Sequence, residues 1–334
     1  MDERIVRAVD SVIVPGTERS PVQLGLLRSV ESEDGRVHIV LGDAALTPDV
    51  KEALEENVRV AVASVTGEDA TVTFTSMTTE EANDIAHTVA VMSGKGGVGK
   101  SLVTALLAVG LGRAGYNVGI LDADITGASI PRMFGVEGRP YGSSGGILPV
   151  VSGMGKPVMS MNLLLDRSDQ PVIWRGPLID KALRQFGKDV LWGKLDFLLV
   201  DLPPGTADAV LTVLQAFPID GVVIVFTPQD LVDMIVRKAV NMTHVMDKKV
   251  LGVVENMSYL YLPELGKKME LFGPSRSAQM SQVAQAPLLA QIPIDPIVAS
   301  LCDRGRIEEY EGEVVSELAG ALLEAVGEPA RKQG

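Results

Sequence analysis

The sequence predicts an α/β protein: a doubly wound domain on a mostly parallel sheet, preceded by a small α/β domain. Three observations carry this expectation. From Val89 onward, short apolar runs alternate with helix-like segments. A glycine-rich stretch, Gly94-Lys95-Gly96-Gly97-Val98-Gly99-Lys100-Ser101, lies between the first such run and a helical one. The first 77 residues have an order of their own, and a polar, acidic stretch from Thr78 to Thr88 follows them. The expected organisation is therefore a small domain over 1–77, a linker over 78–88 and a large domain over 89–328.

The small domain reads helix, two strands, helix, strand. Ile5, Val6, Val9 and Ile13 mark the apolar face of the first helix. Leu24 to Val30 and Arg36 to Leu41 are strand candidates, joined by the turn signal Ser32-Glu33-Asp34-Gly35. Thr47 followed by Pro48 is a helix start, continued by Val50 to Val62. Asp69 to Ser76 alternates: Ala70, Val72 and Phe74 against Thr71, Thr73 and Thr75. In the large domain the expected strands are Ala90–Met92, Val118–Leu121, Val158–Asn162, Phe197–Val200, Val222–Phe226, Val250–Val254 and Leu289–Ile292. Several are unbroken apolar runs, as parallel strands buried on both faces require. Helices read at Leu102–Arg113, Ala207–Ala216 and Leu231–Met246. In such a fold the site sits at the carboxyl ends of the strands.

The glycine-rich stretch has the G-x-x-x-x-G-K-[ST] form in the required context of strand, loop and helix. Gly94, Gly96, Gly97, Val98 and Gly99 let backbone N–H groups converge on phosphate oxygens, and the helix start adds its positive end. Lys100 reaches the outer phosphates, and the Ser101 hydroxyl is placed to ligate Mg²⁺. This defines a P-loop NTPase domain with ATP and Mg²⁺ as the expected ligands. Leu121-Asp122-Ala123-Asp124 ends a strand with two carboxylates, either of which can approach Mg²⁺ or an attacking water; the alternative is a pair of solubilising strand-end charges. Phe197-Leu198-Leu199-Val200-Asp201 is an apolar strand ending in an aspartate placed to hold Mg²⁺ through water. Pro203-Pro204-Gly205-Thr206 follows, where a γ-phosphate-sensing loop belongs. Asn256 follows a strand, where its amide can pair with adenine.

Composition limits the remaining choices. A chain of 334 residues with 46% hydrophobic and 22% charged residues has a globular profile. Its net charge of −13 argues against nucleic acid as a partner, because phosphate-backbone binding needs clustered Lys and Arg. No run has the length of a transmembrane helix, and Met1-Asp2-Glu3-Arg4 lacks the features of a signal peptide. The single cysteine, Cys302, rules out an intrachain disulfide. A cytoplasmic location without membrane attachment is expected. Val314, Val315, Leu318, Leu322 and Val326 give the last helix an apolar face, but Glu313, Glu317 and Glu324 make its other face acidic. Membrane-surface helices are basic there, so this one is expected to pack on its own domain.

Lys95 makes the loop resemble the deviant phosphate loops of the MinD/nitrogenase-iron-protein class. That resemblance implies an ATP-gated homodimer in which Lys95 crosses to the partner's nucleotide. Further stretches resemble the Mrp/ApbC family of iron–sulfur cluster carrier ATPases over roughly Val89 to Ile307. They are Pro171-Val172-Ile173-Trp174-Arg175-Gly176-Pro177, Val200-Asp201-Leu202-Pro203-Pro204-Gly205-Thr206, Thr227-Pro228-Gln229-Asp230 and Gly252-Val253-Val254-Glu255-Asn256-Met257-Ser258. Pro287-Leu288-Leu289, Ile292-Pro293-Ile294-Asp295-Pro296 and Cys302-Asp303-Arg304-Gly305 continue the match. The first domain resembles, loosely, the small iron–sulfur maturation domain that often precedes this ATPase. The resemblance implies that Asp124 orients the attacking water, that Asp122 supports the metal side, and that Asn256 meets adenine. It also implies iron–sulfur assembly proteins or client apoproteins as partners.

One departure is informative. Family members carry a Cys-Pro-x-Cys pair shortly after the Asn-Met-Ser motif, and two pairs bridge a cluster across the dimer. Here the same place reads Leu262-Pro263-Glu264-Leu265. A four-iron cluster takes about four thiolates, so no iron–sulfur ligands are assigned and a bridging cluster is not expected. Two functions follow: an ATPase acting in iron–sulfur cluster assembly or transfer, or a nucleotide-gated adaptor that binds a protein partner and carries no cluster.

Overall fold

The computed structural model describes residues 2–33, 36–125, 127–164, 176–205, 208–229 and 232–328. The chain divides into two compact units. One comprises Met1–Ala86, Gly138–Pro157 and Gln185–Leu195; the other comprises His87–Glu137, Val158–Arg184 and Asp196–Gly334.

The first unit contains helix α1 (Glu3–Asp10), strands β1 (Leu27–Glu33) and β2 (Arg36–Gly42), helix α2 (Pro48–Thr66), strand β3 (Asp69–Thr75) and the short helix α3 (Thr79–Ala82). Strand β2 is central, antiparallel to β1 and parallel to β3. Ile5 and Val9 of α1, Ile39 and Leu41 of β2, and Leu54, Val58 and Val62 of α2 are buried in one core. Such burial contributes about 1.5–3 kcal/mol per large side chain. Helix α2 runs past Val62 until Gly67, whose φ of 70° closes it in the left-handed conformation. Two expectations shift. Leu24 is not in a strand: Gly25 turns at φ +70°, with the Ala82 carbonyl so close that a Cβ there would lie 2.1 Å from it, and β1 starts at Leu27. Helix α1 ends at Asp10, which leaves Ile13 half exposed. Asp34 and Gly35 of the expected turn lie outside the described residues.

The expected linker is ordered. Thr78 and Glu81 form a reciprocal capping box on α3, with the Thr78 N–H donating to Glu81 Oε2 at 2.8 Å. Strand β4 (Asp84–Ser93) then starts five residues before Val89. Nor is 89–328 one continuous domain. The strands β6 (Tyr141–Ser143), β7 (Gly146–Leu148) and β8 (Val150–Val151), and residues 185–195, belong to the first unit. Specific polar contacts explain this. The buried Arg19 guanidinium donates to the carbonyls of Trp192, Gln23 and Lys194, and burial pushes its pKa down to about 10. Asn83 bonds the backbone of Val190, Trp192 and Gly193, and the Tyr141 hydroxyl donates to the Pro15 carbonyl.

The second unit is built on β4, β5 (Val118–Asp122), β9 (Pro157–Ser160), β10 (Lys194–Asp201), β11 (Gly221–Phe226), β12 (Lys249–Glu255) and β15 (Leu288–Gln291). All seven expected strands are among these. They stand in the order β15-β12-β11-β4-β10-β5-β9. The pairs β15–β12, β12–β11, β11–β4, β10–β5 and β5–β9 are parallel. Strands β13 (Leu260–Leu262) and β14 (Lys267–Met269) form a separate hairpin. The helices are α4 (Lys100–Arg113), α5 (Ile130–Met133), α7 (Asp208–Ala216), α8 (Val232–Val245), α9 (Ser277–Ala284), α10 (Pro296–Asp303) and α11 (Val314–Val326), while α6 (Gly176–Asp189) runs from this unit into the first. The expected starts of α7 at Ala207 and α8 at Leu231 fall outside the described residues.

Helix α4 is buried at Lys100 and from Val103 through Leu111, as its apolar composition requires. Helix α11 packs on α4, β12 and β15 and buries Val314, Val315, Leu318, Ala319, Leu322 and Leu323, so the last helix does bury its apolar face in its own unit. Among the described residues no helix is long and apolar enough to cross a membrane. The two helices approach at Gly110, where a Cβ would lie 2.5 Å from the Val315 carbonyl oxygen and 2.8 Å from Ala319 Cβ. Gly110→Ala should therefore destabilise the protein by about 1–3 kcal/mol, although alanine is the better helix former. Denaturant unfolding reads this directly, and a gain in stability would contradict the close crossing.

Candidate nucleotide site

Strand β4 ends at Ser93 and α4 begins at Lys100; Gly94 to Gly99 make the turn between them. Gly97 and Gly99 take φ of +80° and +82°, a conformation that L side chains rarely adopt. Gly99 has a second constraint: a Cβ would lie 2.0 Å from Asn256 Nδ2. The loop walls a cleft of about 270 Å³, with Asp124, Gly127, Ser129, Met133 and Pro204 completing it.

Lys100 is the cation of the cleft. It is 5% exposed, and its amine lies 2.8 Å from Asp201 Oδ2 and 3.9 Å from Asp124 Oδ2. The Ser101 hydroxyl donates to the same Asp201 oxygen at 2.5 Å. The other oxygen of Asp201 accepts from the Thr104 hydroxyl at 2.8 Å. The parallel register brings Asp201 alongside Asp122. Asp122 is fully buried, and its carboxyl is held well above the usual range by burial and by the Asp201 charge, with Lys100 and the Ile130 N–H pulling the other way. The two aspartates of the Asp-Ala-Asp stretch are not equivalent, because β5 stops at Asp122. Asp124 lines the cleft and accepts from the Gly127 N–H at 3.1 Å. Asp122 lies beneath, accepting from the N–H groups of Asp124 and Ile130, and so shapes the loop that carries Asp124.

Two expected residues do not line this cleft. The Lys95 amine leaves the cleft and donates to Gln229 Oε1 at 2.5 Å. Asn256 is buried behind the loop, its amide donating to the Val98 carbonyl at 2.8 Å. Thr104 escaped the sequence reading, although its position four residues after Lys100 puts it on the same helix face. A lone hydroxyl inside Leu102-Val103-Thr104-Ala105-Leu106 was the available signal. Thr206, Asp230 and Pro171 to Arg175 lie outside the described residues, as does the side chain of Pro177.

Oxygen donors from Ser101 and Asp201, already in contact beside further carboxylates, suit a small hard cation that keeps waters and phosphate oxygens in its shell. The loop and its lysine suit the phosphates themselves.

Fold and loop together define a P-loop NTPase. Residues 84–326 match the family model described as NUBPL iron-transfer P-loop NTPase, of ParA type, and residues 2–74 match that of the iron–sulfur cluster assembly proteins. The chain belongs to the NUBPL iron-transfer P-loop NTPase family. An iron–sulfur cluster carrier protein of Clostridium perfringens is 47% identical over 238 residues, 69% of this chain and 84% of that one. A protein of the same name from Synechocystis is 38% identical over 295 residues, 84% of this chain and 83% of its own. The fold matches a nucleotide-binding protein from Archaeoglobus fulgidus solved in complex with ADP, with TM-score 0.63, 45% identity, and coverage of 71% of this chain and 93% of that one. The carrier-ATPase resemblance read from the motifs is borne out at the level of the family.

Proposed function

We propose that this chain is a Mg²⁺-dependent ATPase that acts in iron–sulfur cluster assembly or in cluster transfer to apoproteins. The observation that carries the ATPase reading is Lys100, a buried cation held between Asp201 and Asp124 under a glycine loop. The family and the names of its relatives support the iron–sulfur role. In this reading the loop amides from Gly94 to Gly99 hold the β-phosphate and Lys100 neutralises the outer ones. Ser101 and Asp201 would hold Mg²⁺, with Asp122 setting the loop beneath; the ion's charge offsets that developing on the transferred phosphoryl group. Asp124 orients the attacking water, with Gly127 fixing its carboxylate. One Asn256 amide proton is used on Val98, which leaves its other proton and Oδ1 for adenine. Phosphate release from ATP tests the reading. Turnover in Mg²⁺ that stops in EDTA is expected; bound ATP without turnover would overturn it.

Lys95 is directed out of its own cleft, which supports a role toward a second copy in an ATP-gated homodimer. Lys95→Ala should bind ATP within about threefold of the parent and fail to dimerise with it, because two γ-phosphates would then meet without the partner lysines. Light scattering with ATP measures the loss. Dimerisation unchanged in Lys95→Ala would contradict the crossing role.

The adaptor reading is favoured by one observation. Leu262 ends β13, and Leu265 lies 66% exposed in the turn that follows, at the place where the motif resemblance implies thiolates. Cys302 sits in α10, so the hairpin itself contains no cysteine.

A further inference from the structure

The hairpin β13–β14 and the residues after it expose apolar surface: Tyr261, Leu265, Met269, Leu271 and Phe272 are each 40–66% exposed. Both ends of this excursion meet one buried side chain, Glu255, at the end of β12. Glu255 Oε2 accepts from the Ser258 hydroxyl at 2.6 Å on the outgoing side and from the Ser275 hydroxyl at 2.7 Å on the returning side. Its Oε1 accepts from the Arg276 N–H at 2.7 Å, and Gln291 of β15 donates to Oε2 at 2.9 Å. The next residue is Asn256, bonded to Val98 and packed on Gly99 in the phosphate loop. Met257, at φ +54°, makes the sharp turn between Asn256, which bonds the loop, and Ser258, whose hydroxyl turns back to Glu255.

We propose that Glu255 is a positioning residue that fastens the exposed 260–272 segment to the phosphate loop, so that nucleotide held at the loop restrains the segment. This rests on the reading of Gly94–Ser101 as a nucleotide site. A carboxylate accepting four bonds at once ties two chain ends more firmly than any one of those bonds, and the Glu255–Asn256 backbone passes on whatever order the loop acquires. The exposed apolar segment becomes a surface whose mobility reports the state of the cleft. The coupling free energy is carried by restrained local opening and needs no change of mean structure.

Hydrogen exchange on the full chain, with and without Mg-ADP, tests this, and a separate titration establishes ADP binding. Amides of 260–272 should slow by about threefold or more when ADP is bound. In Glu255→Ala, and in the double variant Ser258→Ala/Ser275→Ala, ADP should still bind while that slowing disappears. The double variant keeps the buried carboxylate with its Arg276 and Gln291 donors, and it decides the matter if Glu255→Ala does not fold. Failure of the parent to bind ADP would sink the nucleotide reading. Binding without slowing at 260–272, or full slowing in the double variant, would overturn the coupling alone.

Discussion

Lys100→Ala should lose ADP and ATP binding by a factor on the order of 10²–10³, the equivalent of about 3–4 kcal/mol. The amine is buried and makes the closest ion pair of the cleft, 2.8 Å to Asp201. Backbone amides contribute partial charges, whereas phosphates bring full ones that the lysine must meet. The loss is compounded by what remains. Asp124 and Asp201 stay beside the site, and without Lys100 they repel the ligand. Removing one partner of a buried pair also destabilises a protein by about 3–5 kcal/mol, so the comparison belongs below the melting range, with circular dichroism as the folding control. Titration with a fluorescent ADP analogue gives the affinity. Parental affinity in the variant would remove the phosphate-loop assignment.

The second large effect falls on chemistry rather than on binding. Asp124→Asn should bind ATP within about threefold of the parent yet hydrolyse it about 10²–10⁴ times more slowly. Asparagine keeps a carbonyl oxygen for the Gly127 N–H, so the loop after β5 retains its shape. In the proposed mechanism it would lose the charge that draws the water's proton and sets its direction of attack. Single-turnover hydrolysis isolates the step. An unchanged rate would mean that water is positioned from another residue.

The large sheet was legible because each strand is an apolar run with punctuation at its end, and the phosphate loop because its glycines and lysines serve a fixed geometry. Asp201 was legible for a similar reason, as a lone charge closing the buried run Phe197–Val200. What sequence alone missed depends on partners far along the chain. The return of residues 185–195 to the first unit rests on Arg19 and Asn83, more than 100 positions away. Residues 78–88 have linker composition, but the Thr78-x-x-Glu81 capping box and the Asn83 side chain give their backbone partners. Asp122 and Asp124 look alike in sequence and are both buried; only the end of β5 between them separates a carboxyl beneath the cleft from one that lines it. The direction of Lys95 depends on Gln229, a pairing that no local pattern encodes.

We propose that this chain keeps a nucleotide site while Leu262 and Leu265 stand where the family resemblance implies cluster-bridging thiolates. Anaerobic reconstitution of the full chain with iron and sulfide, followed by desalting and iron and sulfide determination, tests it most directly. The account predicts far less than one cluster per dimer, with no visible charge-transfer absorbance, in a preparation that still hydrolyses Mg-ATP. About four iron and four sulfide per dimer, retained through desalting with that absorbance, would contradict it.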